Sequence, residues 1–260
     1  MSVSVIITSY NDPRIELTLS SLYNQSTLPD EVLVADGGST TNIKSICERY
    51  KCRFEVIPGN IPQTRSVAIF RATGSIIVFI DTDEVAPRDW LSNLIDPITK
   101  GEADFTGGPA RHYSPKTQAE CYVNLLEDEM YRSLISKDIR YLPMGNSAWR
   151  REIFKKIGTF NIELLASEDY DINMRAVKAG FKGKFIPDAW VYHDHSDINT
   201  IGKLLHKRYK YLRDTAKVYK MQNMFWNRLS IARKRPVRHP FYVIEELLKP
   251  VALLDALIRD

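Results

Sequence analysis

Cysteine is scarce in this chain. Three residues, Cys47, Cys52 and Cys121, are spread over 260 positions. They form no C-x-x-C pair and cannot all pair with one another, so a reduced, cytoplasmic compartment is the simpler expectation. Long apolar runs are lacking too: none reaches the ~18 residues that read as a membrane span. The apolar start, Val3 to Ile7, is too short for a signal peptide and has no basic flank. There are no internal repeats and no low-complexity tracts.

What is present is a globular composition, 44% hydrophobic and 26% charged, with room for one large α/β domain or a domain plus an appendage. The net charge of +4 is unevenly spread. Residues 201–260 carry 14 Lys and Arg against 5 Asp and Glu, whereas residues 1–200 carry 22 against 27. An acidic body favours cations, and a basic tail favours anionic lipid, phosphate or nucleic acid.

The body is organised around Ser75 to Glu84. There an apolar, β-branched run ends in two carboxylates, Asp81 and Asp83. Such a run reads as a strand buried on both faces, with the acids at its carboxyl end, where open α/β sheets bind ligands. In an extended segment, residues i and i+2 point the same way, so both acids can reach one Mg²⁺ or Mn²⁺. An acidic turn capping the next helix is the plain alternative.

Strands and helices alternate around this stretch. Strands are expected at 3–8, 31–35 and 53–57. Helices are expected at 14–24, 43–50 and 62–72, and from Pro87 to about Ile98. This rhythm predicts a Rossmann-like, mostly parallel sheet with helices on both faces. Beyond Lys100 it changes. Strands are expected at 104–107, 141–147, 184–186 and 190–192, and helices at 117–136, 150–157 and 167–179, the last opened by a Ser167 cap. From Ile198 the pattern is helical and basic. The domain reading is a catalytic domain at 1–196 and a helical basic extension at 197–260.

Several motifs in order give the chain a family resemblance over roughly Ser2 to Arg213. They are Val3–Asn11, Glu31–Ser39, Gln63–Ala68, Asp81-Thr82-Asp83, Met144–Glu152, Ser167–Asp171, Val191–Ser196 and Leu205–Tyr209. Together they resemble an inverting nucleotide-sugar glycosyltransferase of family 2, of the A-type glycosyltransferase fold, with features of the cellulose-synthase-like and polyprenyl-linked branch. The resemblance implies donor contacts for Thr8, Ser9 and Tyr10, and a base or ribose contact for Asp36. It places Arg65 along the nucleotide, with Ser66 where the family usually has Asn. It makes Asp83 the direct metal ligand, with Asp81 at the metal or the ribose. Gly145 and Asn146 would lie under the donor sugar. Glu168 would flank the donor, and Asp169 would be the general base. His193 would be a further metal ligand, with His195 the second choice. Arg208 would meet the diphosphate. Leu205 replaces the Gln of the cellulose-synthase-like branch, which argues against a processive polymerase. For several motifs a plain reading also stands: turns for the loops after strands one and two, a solvated Arg65, helix capping for Glu168 and Asp169, and a surface pair for His193 and His195.

The expected activity is Mn²⁺- or Mg²⁺-dependent, inverting transfer of a hexose from a UDP- or GDP-sugar to a lipid-linked or oligosaccharide acceptor. Between Ile201 and His239 stand 12 basic residues and one acid, with Tyr209, Tyr211, Tyr219, Phe225 and Trp226 among them. An apolar helical segment, Phe241 to Ile258, follows. This combination suits an anionic membrane interface, on the cytosolic face; a helical cap on the sheet is the alternative. Rival activities are a polyprenyl-phosphate glycosyl synthase and a soluble polysaccharide or protein glycosyltransferase. A nucleotidyltransferase should carry a glycine-rich, basic loop after strand one, and Ser9-Tyr10-Asn11-Asp12 is not one. A nucleic-acid-binding module would use the basic tail but leaves the carboxylates unexplained, so no nucleic acid partner is expected.

Overall fold

The computed structural model describes residues 1–134, 141–223 and 239–258. Ser136, Phe225, Trp226 and the tail basics Arg228, Arg233, Lys234, Arg235 and Arg238 lie outside the described residues.

The first half follows the alternation closely. β1 (Val3–Ser9), α1 (Ile15–Leu22), β2 (Glu31–Asp36), α2 (Ile43–Tyr50), β3 (Arg53–Val56), α3 (Ile61–Arg71) and β4 (Ile76–Phe79) follow in turn. β1 pairs in parallel with β2 and β4, and β2 with β3. Because strand side chains alternate, Val5 and Ile7 face one layer and Ile6 the other. Ile15, Leu19 and Leu22 of α1 and Ile43, Ile46 and Cys47 of α2 pack on the first layer. Ala68 and Ile69 of α3 pack on the second.

The second half is built of short pieces: β5 (Glu84–Val85), α4 (Trp90–Thr99), β6 (Phe105–Gly107), β7 (Ala110–His112), α5 (Gln118–Leu134), β8 (Ser147–Arg150), α6 (Arg151–Ile157), α7 (Glu168–Lys178), β9 (Gly183–Phe185) and β10 (Val191–His193). The main sheet has seven strands in the order β3-β2-β1-β4-β8-β6-β9. β8 runs antiparallel to both neighbours. Phe105 and Trp149 stack across that pair at 4.4 Å between ring centroids. A second sheet, β5-β10-β7, sits at the edge of the site. The architecture is thus the expected α/β one, a mostly parallel sheet between helical layers.

Three local expectations fail for identifiable reasons. The segment 141–146 is a loop, and the strand begins only at Ser147. The backbone of Leu142 pairs with the Asn173 side chain of α7 instead of with a strand. α4 starts at Trp90, not Pro87, because the Pro87 carbonyl is taken by a turn to the Trp90 amide and by the Gln25 side chain. Ser167 does not cap α7. Its φ is 70°, and its hydroxyl turns instead to Thr215 Oγ1 and the Tyr211 carbonyl.

Those partners lie on α8 (Ile201–Met221), which packs with α9 (Pro240–Ile258). Buried Asp214 of α8 accepts the Ala166 amide. The extension therefore braces the start of α7. Among the described residues no helix is long and apolar enough to cross a membrane. All three cysteines are free thiols.

Candidate active site

The site lies past the carboxyl ends of β1, β2 and β4. The loops after β1 and β2 are laced together by side chains. Asn11 Oδ1 accepts the amides of Thr40 and Thr41, and Ser39 Oγ accepts the Asn11 amide. Asp36, only 1% exposed, accepts the Gly38 and Ser39 amides and the Ser39 hydroxyl. Its carboxylate thus holds the turn closed. Thr8 is half-buried, Ser9 is buried with an unpartnered hydroxyl, and Tyr10 is exposed beside them. The open aromatic face of Tyr10 can stack on a nucleoside, while the Ser9 hydroxyl lies buried beside it.

β4 ends at Phe79, so Asp81 and Asp83 stand on a turn closed by the Glu84 amide on the Asp81 carbonyl. A turn does not keep residues i and i+2 on one side, and the two acids part. Asp81 Oδ1 accepts Arg65 Nη2 at 2.6 Å, and its amide donates to Glu84 Oε2 at 3.0 Å. Asp83 Oδ2 lies 3.5 Å from His193 Nε2 and 3.6 Å from Arg14 Nη2. Burial pushes the Asp83 carboxyl up, but the His193 and Arg14 charges outweigh it and hold it well below the usual range. Burial likewise opposes the charge on His193, and Asp83 and Glu127 overcome it. Gly145 lets the backbone come close to the acids: a Cβ there would lie 2.5 Å from Asp81 Oδ2 and push that carboxylate aside.

Arg65 joins the two ends of the site. Buried on α3, it spans Asp81 and Glu168, reaching Glu168 Oε1 at 2.8 Å. Burial pushes the Glu168 carboxyl up to about 7, with Asp169 adding to the rise. Asp169 is also raised, by burial first, although Tyr141 donates to its Oδ2 at 2.7 Å and the Tyr170 amide to its Oδ1. A carboxylate held in place by a phenol, with its affinity for a proton raised, is equipped to accept one.

Asn146 and Arg208, like Asp36 and Arg65, are expected donor contacts already engaged within the protein. Asn146, 1% exposed, accepts Trp90 Nε1 and donates to the carbonyls of Pro109 and Ala189. It fastens α4 to the loops beneath the site. Arg208 makes a two-point ion pair with Glu245 of α9, at 2.7 and 3.1 Å, and Tyr122 donates to the same carboxylate. His195 turns away from Asp83 toward Glu127 Oε1, at 3.2 Å.

The residues that sequence reading passed over are Arg14, Glu84, His112, Glu127 and Tyr141. Arg14 follows the donor loop directly, in Asn11-Asp12-Pro13-Arg14, and its guanidinium meets Asp12, Asp83 and the Asp194 carbonyl. Glu84 follows the diacid turn and accepts the Asp81 amide, whereas His112, Glu127 and Tyr141 carry no local pattern, because their partners stand far away in the chain. A cavity of about 410 Å³ opens beside Asp83 and His193, lined by Arg14, Tyr113, Lys116 and Asn124 among others.

Residues 4–158 match the family model described as Glycosyl transferase family 2. The chain belongs to this glycosyltransferase family. Among curated relatives, it is 27% identical over 221 residues to glycosyltransferase AglE of Haloferax volcanii, covering 80% of this chain and 71% of that one. It is 26% identical over 210 residues to the succinoglycan biosynthesis protein ExoM of Rhizobium meliloti, covering 74% and 66%. Among solved structures, the mannosyltransferase PcManGT from Pyrobaculum calidifontis, in complex with GDP-Man and Mn²⁺, superposes with a TM-score of 0.66. Identity is 20%, over 98% of this chain and 72% of that one. S. aureus TarS 1–349 in complex with UDP gives 0.60 at 19% identity, over 99% and 81%. These two likenesses establish the A-type glycosyltransferase fold of this family 2 chain.

Proposed function

We propose that this family 2 glycosyltransferase is a metal-dependent, inverting enzyme that moves a hexose from a UDP- or GDP-sugar to a lipid-linked or oligosaccharide acceptor. One observation carries the reading. Arg65 bridges Asp81, on the diacid turn, and Glu168, beside Asp169, so one side chain ties a donor seat to a proton acceptor. PcManGT, with GDP-Man and Mn²⁺, and TarS, with UDP, support a nucleotide-sugar donor.

A divalent ion fits the residues present. The Asp83 carboxylate and the His193 Nε2 face one another 3.5 Å apart at the rim of the cavity, an oxygen and a nitrogen ligand with open space beyond. Asp83 and His193 would hold the ion. When bound, it supplies Lewis-acid stabilisation of the leaving diphosphate. The chain's own groups do the rest. Ser9, Tyr10 and the loop held by Asp36 receive the nucleoside. Arg65 fixes the positions of Asp81 and Glu168. Asp169, oriented by Tyr141, takes the proton of the acceptor hydroxyl as it attacks the anomeric carbon, and attack from the side opposite the leaving group inverts that centre.

The reading extends to a membrane surface. Val243, Leu247, Val251, Leu254 and Ile258 of α9 are 51, 69, 54, 57 and 76% exposed. Their spacing puts them on one helical face. α8, packed against α9, exposes Lys203, Lys207 and Lys220. An apolar stripe on a basic pair of helices complements an anionic bilayer, where a lipid-linked acceptor resides. The test of the reading is a thermal-shift screen with UDP, GDP, CMP and dTDP, each with Mn²⁺ and with EDTA. A shift with one diphosphate that needs Mn²⁺ is expected, since a ligand of the folded state raises its melting temperature. No shift with any nucleotide overturns it.

A further inference from the structure

Behind His193, on the side away from Asp83, three side chains from distant parts of the chain converge. They are His112 at the end of β7, Glu127 on α5 and His195 just past β10. His195 Nε2 lies 3.2 Å from Glu127 Oε1, and His112 Nε2 lies 3.8 Å from Glu127 Oε2. The three ligand atoms fall within 4.8 Å of one another. Asp128 Oδ1 stands 3.7 Å from the same His112 nitrogen.

The two imidazole side chains are 8% and 3% exposed. Neither nitrogen of either ring makes a hydrogen bond, and Glu127 Oε2 also lacks a partner. Buried polar atoms are almost always paired, and one nitrogen of each ring with one Glu127 oxygen, all within 4.8 Å of one another, can share a single partner. The spacing suits a cation. Ligands ~2.0–2.2 Å from a four-coordinate ion lie roughly 3.3 Å apart. The rings are 5.4 Å apart and tilted by only 29°, so they do not pair with each other by a hydrogen bond.

We propose that His112, Glu127 and His195 form a second metal site, separate from the one at Asp83, that holds Zn²⁺ or a similar ion, with Asp128 in reach as a fourth ligand. Two imidazoles and a carboxylate favour a late first-row ion over Mg²⁺ or Mn²⁺. The ion clasps α5 to the small sheet. It also fixes Glu127, whose Oε2 lies 3.6 Å from His193 Nδ1. Glu127 then orients the ring that faces Asp83, in the way that outer carboxylates orient histidine ligands. This site does not depend on the identity of the sugar donor.

The experiment uses the full chain, stripped with a chelator and titrated with Zn²⁺ against a chromophoric zinc indicator. One tight Zn²⁺ site is expected in the unaltered protein. It should persist in Asp83→Ala and weaken by ~100-fold or more in His112→Ala, which removes a ligand. Zn²⁺ binding that is lost in Asp83→Ala, or unchanged in His112→Ala, overturns the proposal. Should His112→Ala fail to fold, the Asp83→Ala protein loaded with Co²⁺ gives an independent reading. Visible absorption of a four-coordinate ion, abolished by added Zn²⁺, is expected. Its absence overturns the proposal.

Discussion

The two halves of the molecule are built on different principles. In the β1–β4 half, the sheet and its helices bury aliphatic side chains at regular spacing. Val5, Ile7, Leu19, Leu22, Leu33 and Val34 are all fully enclosed. In the half from β6 to α8, strands are three or four residues long and the interior holds charge. Glu168, Asp171, His195 and Asp214 are all buried. The first half is a scaffold whose stability comes from apolar area. The second holds its groups in place by ion pairs and hydrogen bonds, among them Glu168 beside the proposed base Asp169. The comparison teaches that rigidity and reactivity are supplied by different stretches of one chain and meet at Arg65.

If that division is right, changes in the two halves should have separable effects. The largest is expected at the metal seat. Asp83→Ala should lower transfer per folded molecule by ~10³-fold or more, as loss of a metal's charge stabilisation implies, and should abolish Mn²⁺-dependent donor binding. A scaffold change should do the reverse. Leu19→Ala, at a fully buried position, should cost about 2–5 kcal/mol in denaturant unfolding, with kcat per folded molecule preserved. If Leu19→Ala alters kcat at full folding, the halves are not separable.

Smaller effects sharpen the comparison. Tyr141→Phe removes one hydrogen bond to Asp169. Transfer should fall roughly tenfold at neutral pH, the worth of a bond to a charged group. The rising limb of the kcat–pH profile should move to higher pH, because that bond favours the ionised acid. That limb belongs to the Glu168–Asp169 pair rather than to either acid alone. Glu168 also titrates into stability. Its carboxyl is pushed up from 4.5 to about 7 in the folded protein, so the folded state binds the proton more tightly. Its contribution is full below pH ~4.5 and is lost as pH rises through about 7. Thermal melts from pH 5 to 8 should show a decline that Glu168→Gln flattens. The smallest effect on folding is expected at α9. Leu247→Asp with Leu254→Asp should leave stability within about 0.5 kcal/mol, as exposed substitutions do. It should lower binding to anionic vesicles by roughly tenfold or more, because each change removes a buried apolar contact with lipid.

The same contrast explains what could be read from the chain alone. The parallel half was legible because periodicity of two and of 3.6 residues is a local signal, and α1, α2 and β1 to β4 lie where that signal puts them. β5, β7 and the register of β8 were not. Strands of two to four residues carry too little pattern, and their pairing is decided by contacts such as Phe105 on Trp149. At the site, Asp81, Asp83, Asp169 and His193 stood out because their motifs are contiguous. Glu127 and Tyr141 did not, since each acts through a partner 28 or more residues away in the chain. Asn146 and Arg208 show the converse. Their motifs are contiguous, yet the fold commits their polar atoms to α4 and α9.

The central claim is that Asp169 accepts the acceptor's proton while Asp83 and His193 serve the donor. The most direct measurement is Asp169→Asn, with donor binding followed by calorimetry in Mn²⁺ and transfer followed in the same preparation. The account expects donor affinity to stay within about twofold while transfer falls by ~10²–10⁴-fold, the contribution of a general base. Transfer that survives, or donor binding lost together with it, would contradict the assignment.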